Sequence, residues 1–250
     1  MFCYQCEETA RGTGCTVKGV CGKEAQTAGL MDVLIFLCKG ISERNLAAAK
    51  TGKANKDAGL FIAEALFATL TNTNFDDGRL KALITQAASI RDALPPAGAN
   101  EPEACTWKPA SDATMAAKAE QIANDAANND DIHSLRALLL FGLKGVAAYY
   151  HHAAVLGYTD EKITDFMQKG LASTLHDLPA DQMTALVFEC GGVGVATLAL
   201  LDTANTKTYG NPEITSVKTS VGNKPGILIT GHDLKDLEQL LEQSKDSGVD

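Results

Sequence analysis

The sequence predicts a mainly α-helical protein that opens on a cysteine-rich loop and ends in the first strand and helix of an incomplete α/β domain. Three observations carry that prediction. Apolar residues recur at helical spacing from Leu30 to about residue 203. No useful stretch before residue 205 alternates with period two. Near the end, the turn Asn223-Lys224-Pro225-Gly226 leads into a short apolar run, Ile227-Leu228-Ile229-Thr230.

Taken in order, the first element is a loop, residues 1–25, in which Cys3, Cys6, Cys15 and Cys21 are interleaved with Gly12, Gly14, Gly19 and Gly22. Leu30, Val33, Leu34 and Leu37 then fall at i, i+3, i+4 and i+7, the face of an amphipathic helix. Residues 58–71 read as a second helix and residues 76–93 as a third, with Leu80, Leu83, Ile84 and Ala87 as its stripe. The stretch from Pro95 to Pro109 is rich in Pro, Ala, Gly and Asn and marks a linker near 95–110. Residues 111–128 are alanine-rich and helical in pattern. Residues 134–156 read as the longest helix, lined by Leu135, Leu138, Leu139, Gly142, Leu143, Val146 and Tyr150. Two shorter helices follow, near 160–170 and 171–176. Residues 180–203 form a long one, broken or closely packed around Gly191, Gly192 and Gly194. This order predicts two helical bundles either side of the linker, within one helical domain over 1–220. Residues 221–250 read as the start of a truncated α/β domain: 227–230 a buried parallel strand, Asp233 an N-cap, and Leu234, Leu237, Leu240 and Leu241 the next helix. A lone parallel strand leaves its backbone donors and acceptors unpaired, so the sheet must come from another chain or from further sequence. The second is favoured.

Composition bounds the function. The chain has 250 residues, 45% of them hydrophobic, enough to bury a core and too apolar for wholesale disorder. Twenty-two Lys and Arg against 31 Asp and Glu leave a charge of −9, a poor surface for nucleic acid. No sequence run approaches the roughly 18–20 apolar residues of a bilayer span, and the N-terminus lacks a signal-peptide core. The expectation is a soluble, acidic, cytoplasmic protein with no nucleic-acid or membrane partner. Its acidic surface is a solvated one that could meet a basic redox partner.

Seven cysteines are present, and four fall within the first 21 residues, spaced C-x2-C-x8-C-x5-C. A cytosolic chain seldom keeps structural disulfides, so a dense thiol cluster argues for metal or redox chemistry. Four thiolates suit tetrahedral zinc or an iron–sulfur cluster. Zinc ribbons usually pair two short C-x2-4-C turns. Here one short pair is followed by two single ligands from a wandering loop, which fits a cubane better. Arg11, Lys18 and Lys23 can offset the thiolate charge. Zinc and free or disulfide-paired thiols are the alternatives. Cys38, Cys105 and Cys190 have no partner spacing and read as small core residues. His151 and His152 are adjacent on a helix and face different directions, so one metal does not suit both. His133 reads as a first-turn residue, His176 as exposed near a helix end, Glu7 and Glu8 as solvent-facing, and Trp107 as a packing anchor beside the linker.

The opening MFCYQCEETARGTGCTVKGVCGK, with LKGVAAYYHHAAVLG, LLDTANTKTYGNPEIT and KPGILITGHDLKDLEQLL, resembles the hybrid cluster protein (prismane, hydroxylamine reductase) family. The resemblance runs from Met1 to Asp250. It implies a helical domain of two three-helix bundles followed by α/β domains, and reduction of small nitrogen species such as hydroxylamine or nitric oxide. It implies a conventional cluster, of the [4Fe-4S] branch, on Cys3, Cys6, Cys15 and Cys21, with electrons entering there from a donor redox protein. It also places His232, in the GHDLKD block, as a ligand of a hybrid iron–sulfur–oxygen cluster. The family's remaining hybrid-cluster ligands have no matching positions in these 250 residues, so the resemblance implies no complete catalytic site here. Two other functions stay open: a stand-alone electron carrier or redox sensor, and a zinc-stabilised helical scaffold.

Overall fold

The structure, a computed structural model, describes residues 2–3, 6, 9–70, 74–123, 129–230 and 233–249. After the cysteine loop come α1 (Ala25–Ala49), α2 (Ala58–Ala68), α3 (Asp77–Ala93), the single turn α4 (Glu103–Thr106), α5 (Asp112–Ala123), α6 (Asp130–Val155), α7 (Glu161–Ser173), α8 (Ala180–Tyr209) and α9 (Leu234–Ser244).

Helix α1 is the axis of the molecule. Leu30, Met31, Val33, Leu34, Leu37, Cys38 and Ile41 are all buried, and they point to more than one side. A helix apolar on several faces must be enclosed on several faces. It is: α1 packs on α3, α4 and α5, and on α2 and α7. The remaining helices join through α2 and α7 to α6, which packs most extensively on α8. The buried residues of both groups form one continuous core. On α6 the stripe is Leu139, Leu143, Val146, Tyr150 and Ala153, a 4-3-4-3 spacing. On α8 it is Met183, Leu186, Cys190, Thr197 and Ala204. Such spacing is that of two helices packed nearly side by side.

Starts are set by short polar caps. Asp76 accepts the Arg79 N–H at 3.1 Å, Asn129 accepts those of Asp131 and Ile132 at 2.8 and 3.4 Å, and Asp160 that of Lys162 at 2.9 Å. The Asn129 cap starts α6 four residues before the expected Ser134. Leu138, expected on its inner stripe, is 54% exposed.

Several expectations change. The two helices expected over 160–176 are the single helix α7, since Gly170 is a close-approach site and not a stop. A Cβ there would lie 2.9 Å from Leu143 Cδ1. Helix α8 runs unbroken for 30 residues, longer than α6, and Gly191, Gly192 and Gly194 face open space. The linker carries α4, whose Ala104 and Cys105 are buried against α1. Trp107 anchors there, its ring 6.1 Å from that of Phe36.

The expected strand at Ile227–Thr230 is absent. Among the described residues there is no strand, and every residue of 211–230 is exposed. A strand exists only through a neighbour's hydrogen bonds, and no neighbour is present to make them. Helix α9 does form where expected, but none of its residues is buried. By length and composition two helices, α1 and α8, could cross a membrane, contrary to the reading from uninterrupted apolar runs. In α1 67% of the apolar window is buried in the core; in α8 17% is, leaving Phe188, Val195 and Leu198 exposed.

Candidate metal centre

The cysteine loop is folded by its own backbone. Cys3 and Cys15 exchange two hydrogen bonds, Cys3 N–H to Cys15 O at 3.0 Å and Cys15 N–H to Cys3 O at 2.7 Å. Thr9 sits inside this closure. Its N–H donates to Cys6 O at 3.2 Å, and its hydroxyl donates to Cys3 O at 3.0 Å and lies 3.7 Å from Cys15 Sγ. The turn over Ala10–Gly12 brings the Ala10 N–H to Cys15 Sγ at 3.4 Å. At Gly14, with φ +141°, a Cβ would run into the Phe2 ring, so only glycine lets Phe2 lie against the loop there. Cys21 lies in a second turn, pinned by Gly22 N–H to Gly19 O and Gly19 N–H to Lys23 O, each 2.8 Å.

Cys15 is buried; Cys3, Cys6 and Cys21 are half-buried, and all seven cysteines are free thiols. The Cys15 thiol is held below its usual range by the Ala10 N–H, then the Val20 N–H, then the Thr9 hydroxyl, which together outweigh its burial. A sulfur that accepts backbone N–H bonds is prepared for the thiolate state that metal binding needs. Among the described residues, no three His, Cys, Asp or Glu side chains converge as a single-ion site. The fit to an iron–sulfur cluster therefore rests on the donors: four thiols on a self-closed loop, one already aimed at by N–H and O–H groups.

Lys18 pairs with Glu24 at 2.5 Å in solvent, so it is engaged away from the thiols, and Arg11 is exposed. Lys23 is only 3% exposed. Thr9 and Ala10 were not legible as site residues, because their role is carried by a hydroxyl and a backbone amide. A cavity of about 210 Å³ lies behind Cys3, lined also by Asp32, Lys39, His133 and Arg136.

Cys38, Cys105 and Cys190 are buried as expected. Burial pushes their thiols up to about 12, about 11 and about 11, which keeps them protonated and inert. His232, Glu7 and Glu8 lie outside the described residues. Beside His232, Asp233 Oδ1 is 3.3 Å from His152 Nε2. His151 and His152 both pack on the Phe67 ring, at centroid distances of 5.2 Å. His176 meets Glu43 at 2.9 Å at the surface.

A family model described as the Prismane/CO dehydrogenase family matches residues 1–250. Among curated proteins, one named hydroxylamine reductase from Desulfitobacterium hafniense (strain DSM 10664 / DCB-2) is 51% identical over 259 residues, covering 100% of this chain and 47% of its own length. Proteins of the same name from Nitratidesulfovibrio vulgaris and Thermoanaerobacter pseudethanolicus are each 49% identical, over 263 and 258 residues, with the same coverage. The chain spans about half the length of the curated relatives it matches.

Proposed function

The chain belongs to the Prismane/CO dehydrogenase family, and on that premise we propose that it is the electron-entry part of a hydroxylamine-reductase-type oxidoreductase. Proteins of this family carry iron–sulfur clusters. In this reading Cys3, Cys6, Cys15 and Cys21 hold a [4Fe-4S] cluster, and His232 is one ligand of a hybrid cluster whose other ligands are not among these residues. The helical domain spans 1–220, and 221–250 begin an α/β domain. When bound, the conventional cluster supplies a one-electron relay.

The chain's own residues prepare that relay. The Cys3–Cys15 backbone pairing fixes two ligands relative to each other without metal, and Thr9 ties Cys6 to the same closure. The Ala10 N–H favours the charged form of Cys15 and would lie within the sulfur shell that sets the potential. Phe2 packs against the loop at Gly14. The observation that carries the reading is this preformed N–H···S cradle on a four-cysteine loop in a chain about half identical to hydroxylamine reductases.

Hydroxylamine, or nitric oxide, is the proposed substrate class of the longer protein, with a redox protein as donor; the substrate site itself is not complete in these residues. A soluble, cytoplasmic location is part of the proposal, supported by the charge of −9 and by the burial of α1 in the core. The test is anaerobic purification of the chain, with iron and labile-sulfide analysis and EPR. Four irons and four sulfides per chain are expected, all lost in Cys15→Ser, with no hydroxylamine consumed by the 250 residues alone. A colourless protein with one zinc would sink the reading.

A further inference from the structure

Among the described residues before α8, Val17 and Val20 are the two most exposed large hydrophobic side chains, at 84% and 61%. Both lie in the turn between Cys15 and Cys21, where Thr16 and Lys18 are exposed as well. One exposed valine means little, but two beside the half-buried Cys21 make an apolar spot at the candidate centre. Charge sets this spot apart. Residues 9–23 hold Arg11, Lys18 and Lys23 and no Asp or Glu, in a chain of charge −9. Glu7 and Glu8 precede this run and lie outside the described residues. Lys23 is turned inward onto Met31 Sδ and the Phe75 ring, which leaves Arg11 and Lys18 at the surface. The Lys18 pair with Glu24 is solvated, its side chains 55% and 64% exposed, so it exchanges readily.

Arg11 is also held at φ +56° and ψ +19°, the left-handed region that glycine takes freely and a side-chain-bearing residue pays to enter. An exposed arginine thus stands where its own backbone is strained, and such strain gathers at functional surfaces. Its turn supplies the Ala10 N–H to Cys15 Sγ at 3.4 Å, and the Val20 N–H acts on the same sulfur, so Arg11 and Val20 flank one thiol.

We propose that Arg11, Lys18, Val17 and Val20 form the docking surface for the electron donor, and that this donor is a small acidic one-electron carrier protein. This rests on the assignment of the four cysteines to a cluster. Carboxylates of the carrier meet Arg11 and Lys18, and an apolar rim around its redox group covers Val17 and Val20. One electron passes from carrier to cluster, and no bond is made or broken. A small, partly apolar contact suits a partner that must leave after each electron. The net charge of the chain points to the opposite kind of partner, so attraction of an acidic carrier has to be local.

The test is isothermal titration calorimetry of the anaerobically loaded chain, with iron and sulfide quantified, against flavodoxin, an acidic one-electron carrier. Both proteins are oxidised, so no electron moves and association alone is read. Binding at low ionic strength that weakens as salt is added is expected. Arg11→Gly is expected to weaken it about fivefold at low salt and little at high salt. Its melting midpoint should stay that of the wild type, because glycine relieves the strained backbone as it loosens the unfolded chain. Val17→Ser with Val20→Ser is expected to weaken binding about tenfold at every salt concentration. Cytochrome c, a basic carrier, is the control, and Arg11→Gly should leave its affinity unchanged or raise it. Should Arg11→Gly lose iron, Lys18→Ala decides by the same salt dependence. No binding of flavodoxin, binding that strengthens with salt, or wild-type affinity in the variants would overturn the proposal. So would a doubled mass in light scattering that the two serines abolish, which would give the face to a second copy of this chain. A wild-type chain that binds flavodoxin but holds no iron or sulfide would instead overturn the cluster assignment, and the donor role with it.

Discussion

Glu101, in the linker before α4, receives Arg44 Nε at 3.2 Å and Nη2 at 2.7 Å, and the backbone N–H of Ala97 as well. Their side chains are 7% and 11% exposed, so this is a nearly buried pair. Burial pushes the Glu101 carboxyl up, but the Arg44 and Ala97 bonds outweigh it and hold the carboxyl below the usual glutamate range. A depressed folded-state value stabilises the fold above the unfolded glutamate value, and that contribution is lost as pH falls through the folded one. Arg44 also donates to Arg91 O at 3.2 Å, so losing its partner strands a charge between α1 and α3. Glu101→Gln is expected to cost about 3 kcal/mol at pH 7. That penalty should shrink as the pH is taken down through and below the usual glutamate range, read as guanidinium midpoints at several pH values. A penalty independent of pH would show that Arg44 contributes packing and not charge.

Between elements, α1 comes close to α4 at Gly40. A Cβ on Gly40 would lie 2.1 Å from Ala104 O and 2.5 Å from Ala104 C, atoms of backbone that cannot swing aside. On α6, Gly145 has nothing within 4 Å of a Cβ. The same substitution should therefore act in opposite directions. Gly40→Ala is expected to destabilise by about 1–3 kcal/mol despite its better helix propensity, and Gly145→Ala to stabilise by about 1 kcal/mol. Thermal melts followed by circular dichroism measure both. This contrast also explains what the sequence reveals. Stripes such as Leu80, Leu83, Ile84 and Ala87 are local, and the helices they imply form. A glycine's role depends on what faces it, so Gly170 and Gly191 could not be sorted into close approach and open surface from spacing alone. The run 227–230 has a strand's composition, but a strand is a pairing, and pairing is non-local. At the candidate centre the four cysteines were legible because one short loop carries them. The Ala10 N–H aimed at the Cys15 sulfur was not, because a backbone amide leaves no mark in the sequence.

At the scale of the whole molecule, stability is divided unevenly. Helices α1–α3 and α5–α8 share one core, with side chains such as Leu34, Leu66, Leu83 and Leu143 fully enclosed and each contributing roughly 1.5–3 kcal/mol of burial. Residues 211–230 are exposed throughout and lie in no helix. Helix α9 meets the body through an exposed contact, Tyr209 Oη donating to Glu238 Oε2 at 2.8 Å, and a half-buried one, His152 facing Asp233 at 3.3 Å. An exposed polar contact is worth about 1 kcal/mol or less, and with none of its own residues buried a helix of 11 residues is poorly held against opening. Local opening should therefore begin in this stretch and leave the core intact. Trypsin at low concentration is expected to cut first after Lys218, as read by mass spectrometry. The product over α1 to α8 should keep a cooperative thermal transition close to that of the uncut chain. First cuts at Lys50, Lys53 or Lys56 in the α1–α2 connection, or loss of cooperativity once α9 is released, would mean that the tail is a structural part of the helical body.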